Sequence, residues 1–176
     1  HMMGDMGHDS YRGDLNDRCR TIPEVLGASG YSTWMSGKWH LTKHIGQWTA
    51  NDELTSKHNG PRQRGFDLFF GTILGAGSYY NPNTLVRDNE ATGVDPGFYY
   101  TDAINNNAAR FIDDHCSNNP DQPFFGYVAH VAPHWPLHAR EEDIQKYEGR
   151  YAAGWDEIRR ERMQRMIDIG LIDSGW

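Results

Sequence analysis

Two cysteines in 176 residues, Cys19 and Cys116, are too few for a disulfide-framed scaffold. Whether they form one bridge stays open on sequence alone. No apolar run comes near the roughly 20 residues that a membrane-spanning helix needs. Basic residues are outnumbered, 17 Lys and Arg against 24 Asp and Glu, and the formal net charge is −7 with His neutral. That excludes the broad basic face of a general nucleic-acid binder. The one dense basic run, Arg159-Arg160-Glu161-Arg162 with Arg165, has an acid interleaved and reads as a solvated helix face. There is no internal repeat and no low-complexity linker. No signal-peptide pattern opens the chain. Its polar, Gly- and Asp-rich first 20 residues read as a loop from inside a domain.

What is present is ordinary globular material, with 38% hydrophobic and 12% aromatic residues. A single domain over 1–176 is the expectation. Thr21-Ile22-Pro23-Glu24 is a capping-box pattern and predicts a short helix ending before Gly30. Tyr31 to Ser36 is aromatic and β-prone, which predicts a strand. Residues 42–65 read as a long loop, and 71–99, rich in Gly and Pro, as irregular. Thr101 to Asn118 predicts a helix whose buried stripe is Ile104, Ala108, Phe111 and Ile112. Phe124 to Val131 is apolar without alternation, as in a parallel strand buried on both faces. Two further helices are expected over Glu141–Tyr147 and Trp155–Ile169. Helix followed by buried strand is α/β grammar.

Two segments carry ionisable groups where strands should end: Gly37-Lys38-Trp39-His40-Leu41 and Ala132-Pro133-His134-Trp135-Pro136-Leu137-His138. Ligand sites in open α/β sheets form outside the carboxyl ends of the strands. In extended backbone Lys38 and His40 would face one way and Trp39 the other. An ammonium beside an imidazole suits a tetrahedral oxyanion. His134 lies between two prolines that stiffen its loop, and imidazole suits proton transfer near neutrality. His138 is a further substrate-binding candidate, with a structural role as its alternative. Trp135 could stack on a sugar or aryl ring, or pack. His130, His134 and His138 recur every four residues, but Pro133 and Pro136 exclude the helix that would stack them, so no metal is assigned to them.

These residues also carry a family resemblance. Tyr31 to Leu41 resembles the second signature of the sulfatases, and Pro123 to His138 resembles that family's later histidine segment. Arg64-Gly65-Phe66-Asp67-Leu68-Phe69-Phe70-Gly71 is similar to a structural stretch of bacterial arylsulfatases. The blocks occur in the family's order and span nearly the whole chain. The resemblance implies an alkaline-phosphatase-like α/β sandwich with a mostly parallel central sheet, present here only in part. It implies a sulfuric ester hydrolase acting on aryl or carbohydrate sulfates, with a formylglycine nucleophile and a divalent cation, usually calcium. By motif match Lys38 and His40 bind sulfate oxygens, His40 also assists breakdown of the sulfo-enzyme, and His134 binds sulfate and protonates the leaving oxygen. A periplasmic or secreted parent enzyme goes with the resemblance.

Other parts of the family pattern are missing. Neither Cys19 nor Cys116 has Pro two residues on and Arg four residues on, as a formylglycine precursor requires. Calcium takes six to eight oxygen ligands, and no cluster in this chain offers them. Asn83 to Asn89 imitates the family's late Asp-Asn-Gly pair but precedes His134, where that pair should follow. The chain therefore reads as an internal fragment of a sulfatase catalytic domain, inactive by itself. Alternative readings are a fragment that binds an anion or a partner chain without turnover, and a related phosphoesterase.

Overall fold

The computed structural model describes residues 13–42 and 58–175. It divides into two compact units, His1–His138 and Ala139–Trp176. In the first, helix α1 (Ile22–Ala28) leads into strand β1 (Ser32–Gly37). Strands β2 (Leu68–Thr72), β3 (Leu85–Arg87) and β4 (Glu90–Ala91) follow. Helix α2 (Tyr100–Asn118) and strand β5 (Phe124–Ala129) complete the unit. The five strands form one sheet in the order β4-β3-β2-β1-β5. β2, β1 and β5 run parallel, while β3 and β4 add antiparallel strands at the far side. The class is α/β, as expected, and the two ionisable segments follow two of the parallel strands, β1 and β5.

The capping box forms as its sequence pattern predicts. Glu24 N–H donates to Thr21 Oγ1 and Thr21 N–H donates to the Glu24 carboxylate. The cap is tied into the fold, because Thr21 Oγ1 donates to the Arg64 carbonyl at 2.7 Å and Arg64 Nε donates to Glu24 at 2.9 Å. Arg64 also reaches the Asn59 side chain and the Cys19 carbonyl. A buried guanidinium needs such a full set of acceptors.

β1 is covered on both faces, as is most of β2. Trp34 joins Phe70, Tyr100, Ile104 and Phe111 under α2, while Met35 joins Phe66, Phe69, Ile73 and Val86 on the other side. Ser36 Oγ donates to the Ile104 carbonyl of α2 at 2.8 Å.

Three expectations need correction. β5 is not buried on both faces: Phe124, Tyr127 and Val128 are exposed, because among the described residues β5 lies at the sheet edge and pairs with β1 alone. An apolar run cannot by itself tell a central strand from an edge one. Residues 71–99 are not wholly irregular, since β3 and β4 form there. These strands are too short for a periodic signal. The stripe of α2 is Tyr100, Ile104, Ala108, Phe111 and His115, while Ile112 is 37% exposed. His115 Nε2 meets the Gln122 carbonyl at 2.7 Å. A carbonyl only accepts, so that nitrogen carries the proton. Most of the predicted 42–65 loop lies outside the described residues.

The second unit contains α3 (Glu141–Gln145) and α4 (Trp155–Asp168), close to the expected ranges. Neither has a buried residue. Among the described residues no helix is long and apolar enough to cross a membrane, and Cys19 and Cys116 are free and exposed.

Candidate functional site

The parallel strands end together, and the segment after β1 is shared among them. Lys38 N–H donates to the Ala129 carbonyl at the end of β5 at 2.9 Å. Trp39 N–H donates to Thr72 O at the end of β2 at 2.9 Å, and His40 N–H to Ile73 O at 3.1 Å. Trp39 is buried, with its indole N–H on the Asn59 carbonyl at 2.7 Å, whereas Lys38 and His40 are half-buried. The predicted alternation therefore appears, but not through extended backbone. His40 has φ of 61°, in the left-handed region that non-glycine residues seldom occupy. The chain turns off the sheet at this histidine, held by the hydrogen bond to Ile73.

Gly75 lies flat against the His40 imidazole, and any side chain there would overlap the ring. Sequence reasoning passed over it as one of several glycines in an irregular stretch. Only the tertiary fold shows that it makes room for His40.

The second segment follows β5. Val131 is buried, and His134 N–H donates to the Val131 carbonyl at 2.9 Å, which turns the chain back. The His134 ring is exposed, with Nδ1 at 2.8 Å from the Trp135 carbonyl. Nδ1 must therefore donate, and Nε2 points its lone pair or its proton outward. Both prolyl bonds, Ala132-Pro133 and Trp135-Pro136, are cis.

Tyr79, also passed over in sequence, holds this loop in place. Buried to 2% exposure, it donates its hydroxyl to the His134 carbonyl at 2.9 Å. Its own N–H donates to His138 Nδ1 at 3.3 Å. Burial pushes its phenol up from the ordinary value, with Tyr99 adding to the effect. The His138 ring also packs edge-on to Tyr79 at 5.7 Å. Its Nδ1 is thus engaged in anchoring the loop, and Nε2 carries the proton in the neutral ring.

Charge links the two segments. Burial lowers the His40 pKa, and the positive charges of Lys38 and His134 lower it further. Burial also lowers that of Lys38. Lys38 and His40 thus stand half-buried just beyond β1, where a bound anion would offset the charge that burial disfavours. His138 stands on the same loop as His134 but is bound to Tyr79 and Tyr80.

A pH prediction follows from His40. Its folded pKa lies below the ordinary value of about 6.5, so the unfolded chain binds the proton first. Its contribution to stability is complete above about pH 6.5 and is lost as pH falls toward the folded value. The urea midpoint should drop between pH 7.5 and 5.5, and His40→Gln should flatten that part of the profile. An unchanged slope in the variant would remove His40 as the cause.

Among the described residues no group of three His, Cys, Asp or Glu side chains could hold a metal ion. Lys38, His40 and His134 together offer an ammonium and two imidazoles, not the oxygen ligands that calcium takes, and this set is a poor calcium site. It does not fit the calcium that the sequence resemblance implies.

A family model for sulfatases matches residues 2–169, across both units. The chain is 36% identical over 179 residues to an uncharacterized sulfatase of Schizosaccharomyces pombe, covering 94% of this chain and 30% of that protein. It is 31% identical over 179 residues to an arylsulfatase of Klebsiella aerogenes, covering 95% of this chain and 35% of that protein. It therefore spans about a third of the length of these curated relatives. Among solved structures, Ps i-CgsB in complex with k-i-k-neocarrahexaose superposes with a TM-score of 0.61 at 27% identity. That match covers 76% of this chain and 31% of the other. A structure of BT4656 in complex with its substrate D-glucosamine-2-N,6-O-disulfate matches at 0.55 and 24% identity, which supports the fold alone. The matched family, the parallel strand ends and the two histidine segments agree: this chain belongs to the sulfatase family.

Proposed function

We propose that this chain supplies the sulfate-holding and proton-donating part of a sulfuric ester hydrolase. The observation that carries this reading is the joining of the ends of β1 and β5, where Lys38 N–H donates to the Ala129 carbonyl at 2.9 Å, five residues before His134. The Lys38 ammonium and a His40 N–H would hold sulfate oxygens. Protonated His134, its Nδ1–H fixed on the Trp135 carbonyl, would deliver the Nε2 proton to the ester oxygen as the S–O bond breaks.

The formylglycine nucleophile and divalent cation of the family would come from sequence outside these 176 residues, since neither cysteine has the precursor pattern. The chain is on this reading an internal part of a catalytic domain. Aryl and carbohydrate sulfates both remain candidate substrates. The carrahexaose bound to Ps i-CgsB favours carbohydrate.

Two measurements on the purified chain test the proposal. It should release no 4-nitrophenol from 4-nitrophenyl sulfate above a buffer blank, because the attacking group is essential to this chemistry. It should bind sodium sulfate, with affinity reduced at least about tenfold in Lys38→Ala. Clear turnover, or sulfate binding indifferent to Lys38, would refute it. Binding that depends on Lys38 in a parent protein that also shows no turnover would instead favour anion holding without catalysis.

A further inference from the structure

One fully buried polar residue beside the site has no part in the mechanism above. Asn59 is 0% exposed, and a buried amide needs partners for its polar groups. Its main-chain carbonyl accepts from the Trp39 indole N–H at 2.7 Å. Its side-chain Oδ1 accepts from Arg64 Nη1 at 2.8 Å, and Nδ2 donates to the Leu15 carbonyl at 2.9 Å. Nδ2 also lies 3.3 Å from His58 Nε2. Arg64 is itself fixed, with Nε on Glu24 at 2.9 Å and Nη2 on the Cys19 carbonyl at 3.1 Å. Asn59 therefore joins three segments far apart in sequence: the stretch from Leu15 to Cys19, the first turn of α1, and the turn that carries Lys38 and His40.

Trp39 stands between Lys38 and His40, and it is buried where they are half-buried. Three contacts hold it. Its N–H donates to Thr72 O at 2.9 Å, its ring meets Phe66 edge-on at 6.2 Å, and its indole N–H ends on Asn59. The first contact fixes backbone. The second is apolar and weakly directional. The third is a directional bond at the far end of the side chain, so it fixes the seat of the indole. If the indole left that seat, the backbone at Trp39 would shift, and the flanking Lys38 and His40 would shift with it. His40 has little room for this, since its ring lies against Gly75 and its φ is 61°. A residue needed only to satisfy Arg64 could approach that guanidinium from any open side. This one also places its carbonyl on the indole between the two site residues.

We infer that Asn59 is a positioning residue of the anion site: by holding the Trp39 indole it sets the direction in which Lys38 and His40 leave the sheet. The bonds to Arg64 and Leu15 hold Asn59 in turn, so the carbonyl is in place before an anion arrives and no reorganisation is needed on binding. This inference deepens the reading of Lys38 and His40 as anion-binding groups and rests on it.

Calorimetric titration of the chain with sodium sulfate, at a temperature well below unfolding, tests the assignment. Asn59→Ala removes both side-chain bonds and loosens the carbonyl. Trp39→Phe removes the indole donor and keeps an aromatic ring beside Phe66. Each should weaken sulfate about fivefold, the scale of one net hydrogen bond. Phe111→Leu is a destabilising change in the core cluster under α2, which excludes Trp39, and should stay within about twofold. The positioning role is overturned if both site variants bind sulfate within about twofold of the unaltered chain. It is also overturned if Phe111→Leu weakens sulfate as much as they do, because the loss is then one of stability alone. If Asn59→Ala fails to fold, Trp39→Phe decides by the same criteria. Nuclear magnetic resonance gives a readout that needs no sulfate. The indole N–H resonance missing from Trp39→Phe should exchange with water at least about tenfold more slowly than that of Trp155, which is 92% exposed. Equal exchange would mean that the bond to Asn59 is not made, and would overturn the role. The His40 ring resonances should shift in either variant. If sulfate binding proves indifferent to Lys38→Ala, the anion reading fails, and these resonances decide the positioning by themselves: a shift supports it, and unmoved resonances overturn it.

Discussion

Replacing His134 by alanine in a complete sulfatase carrying this sequence is expected to slow alkyl and sugar sulfates far more than activated aryl sulfates. A leaving alkoxide of high pKa needs a proton as the S–O bond breaks, whereas 4-nitrophenolate scarcely does. General acid catalysis contributes about 10²–10⁴-fold, and most of that should be lost with the poor leaving groups. The geometry suits the role: Nδ1 is fixed on the Trp135 carbonyl at 2.8 Å and the Tyr79 hydroxyl holds the His134 carbonyl at 2.9 Å. The ring can therefore present Nε2 in one direction. Lys38→Ala should act differently. Its charge offsets negative charge on the sulfate oxygens whatever leaves, so all substrates should lose on the order of 10²–10³-fold. The measurement is kcat/KM for both variants across aryl sulfates of graded leaving-group pKa. If the His134 variant keeps the parent's slope, His134 is not the acid.

The elements with local instructions were legible in the sequence. Thr21 and Glu24 specify a helix start through two reciprocal hydrogen bonds, and that start is found. The long stripe of α2 was legible apart from its last turn, where His115 is buried because the Gln122 carbonyl satisfies its ring. A polar residue carries no apolar periodicity, so Ile112 took its place in the reading. β5 read as a central strand because its composition is apolar, yet exposure there is set by which strands stand beside it. The site followed the same division. Lys38, His40 and His134 stood out in the sequence because ionisable groups at strand ends have few structural reasons to be there, and the structure sets the first two just beyond β1 and the third beyond β5. Tyr79 and Gly75 were not, because a tyrosine that anchors a loop and a glycine that clears space for a ring acquire those roles only from partners far along the chain.

The second large effect concerns the sheet beneath the site. Gly71→Ala in β2 should destabilise the chain by about 3 kcal/mol or more, at or above the upper end for overpacked positions. A Cβ on Gly71 would overlap the carbonyl of Gly37, which is backbone and cannot rotate away. Gly37 in turn has φ of 128°, and a Cβ there would overlap the carbonyl of Ala129. The ends of β2, β1 and β5 are therefore packed backbone against backbone, and this closeness lets Lys38 reach Ala129 and Trp39 reach Thr72. Spreading β2 from β1 would break the hydrogen bonds of Trp39 to Thr72 and of His40 to Ile73, which fix the segment that carries Lys38 and His40, so sulfate affinity should fall along with stability. Gly27→Ala provides the contrast. Gly27 lies within α1 with nothing near its Cβ position, so alanine should stabilise by roughly 0.5–1 kcal/mol through helix propensity and a less flexible unfolded chain. Urea unfolding of the two variants, with sodium sulfate titration of each, measures both effects. A Gly71→Ala midpoint equal to the parent's would mean that the strand ends have room, and that the contact with Gly37 does not set the position of Lys38.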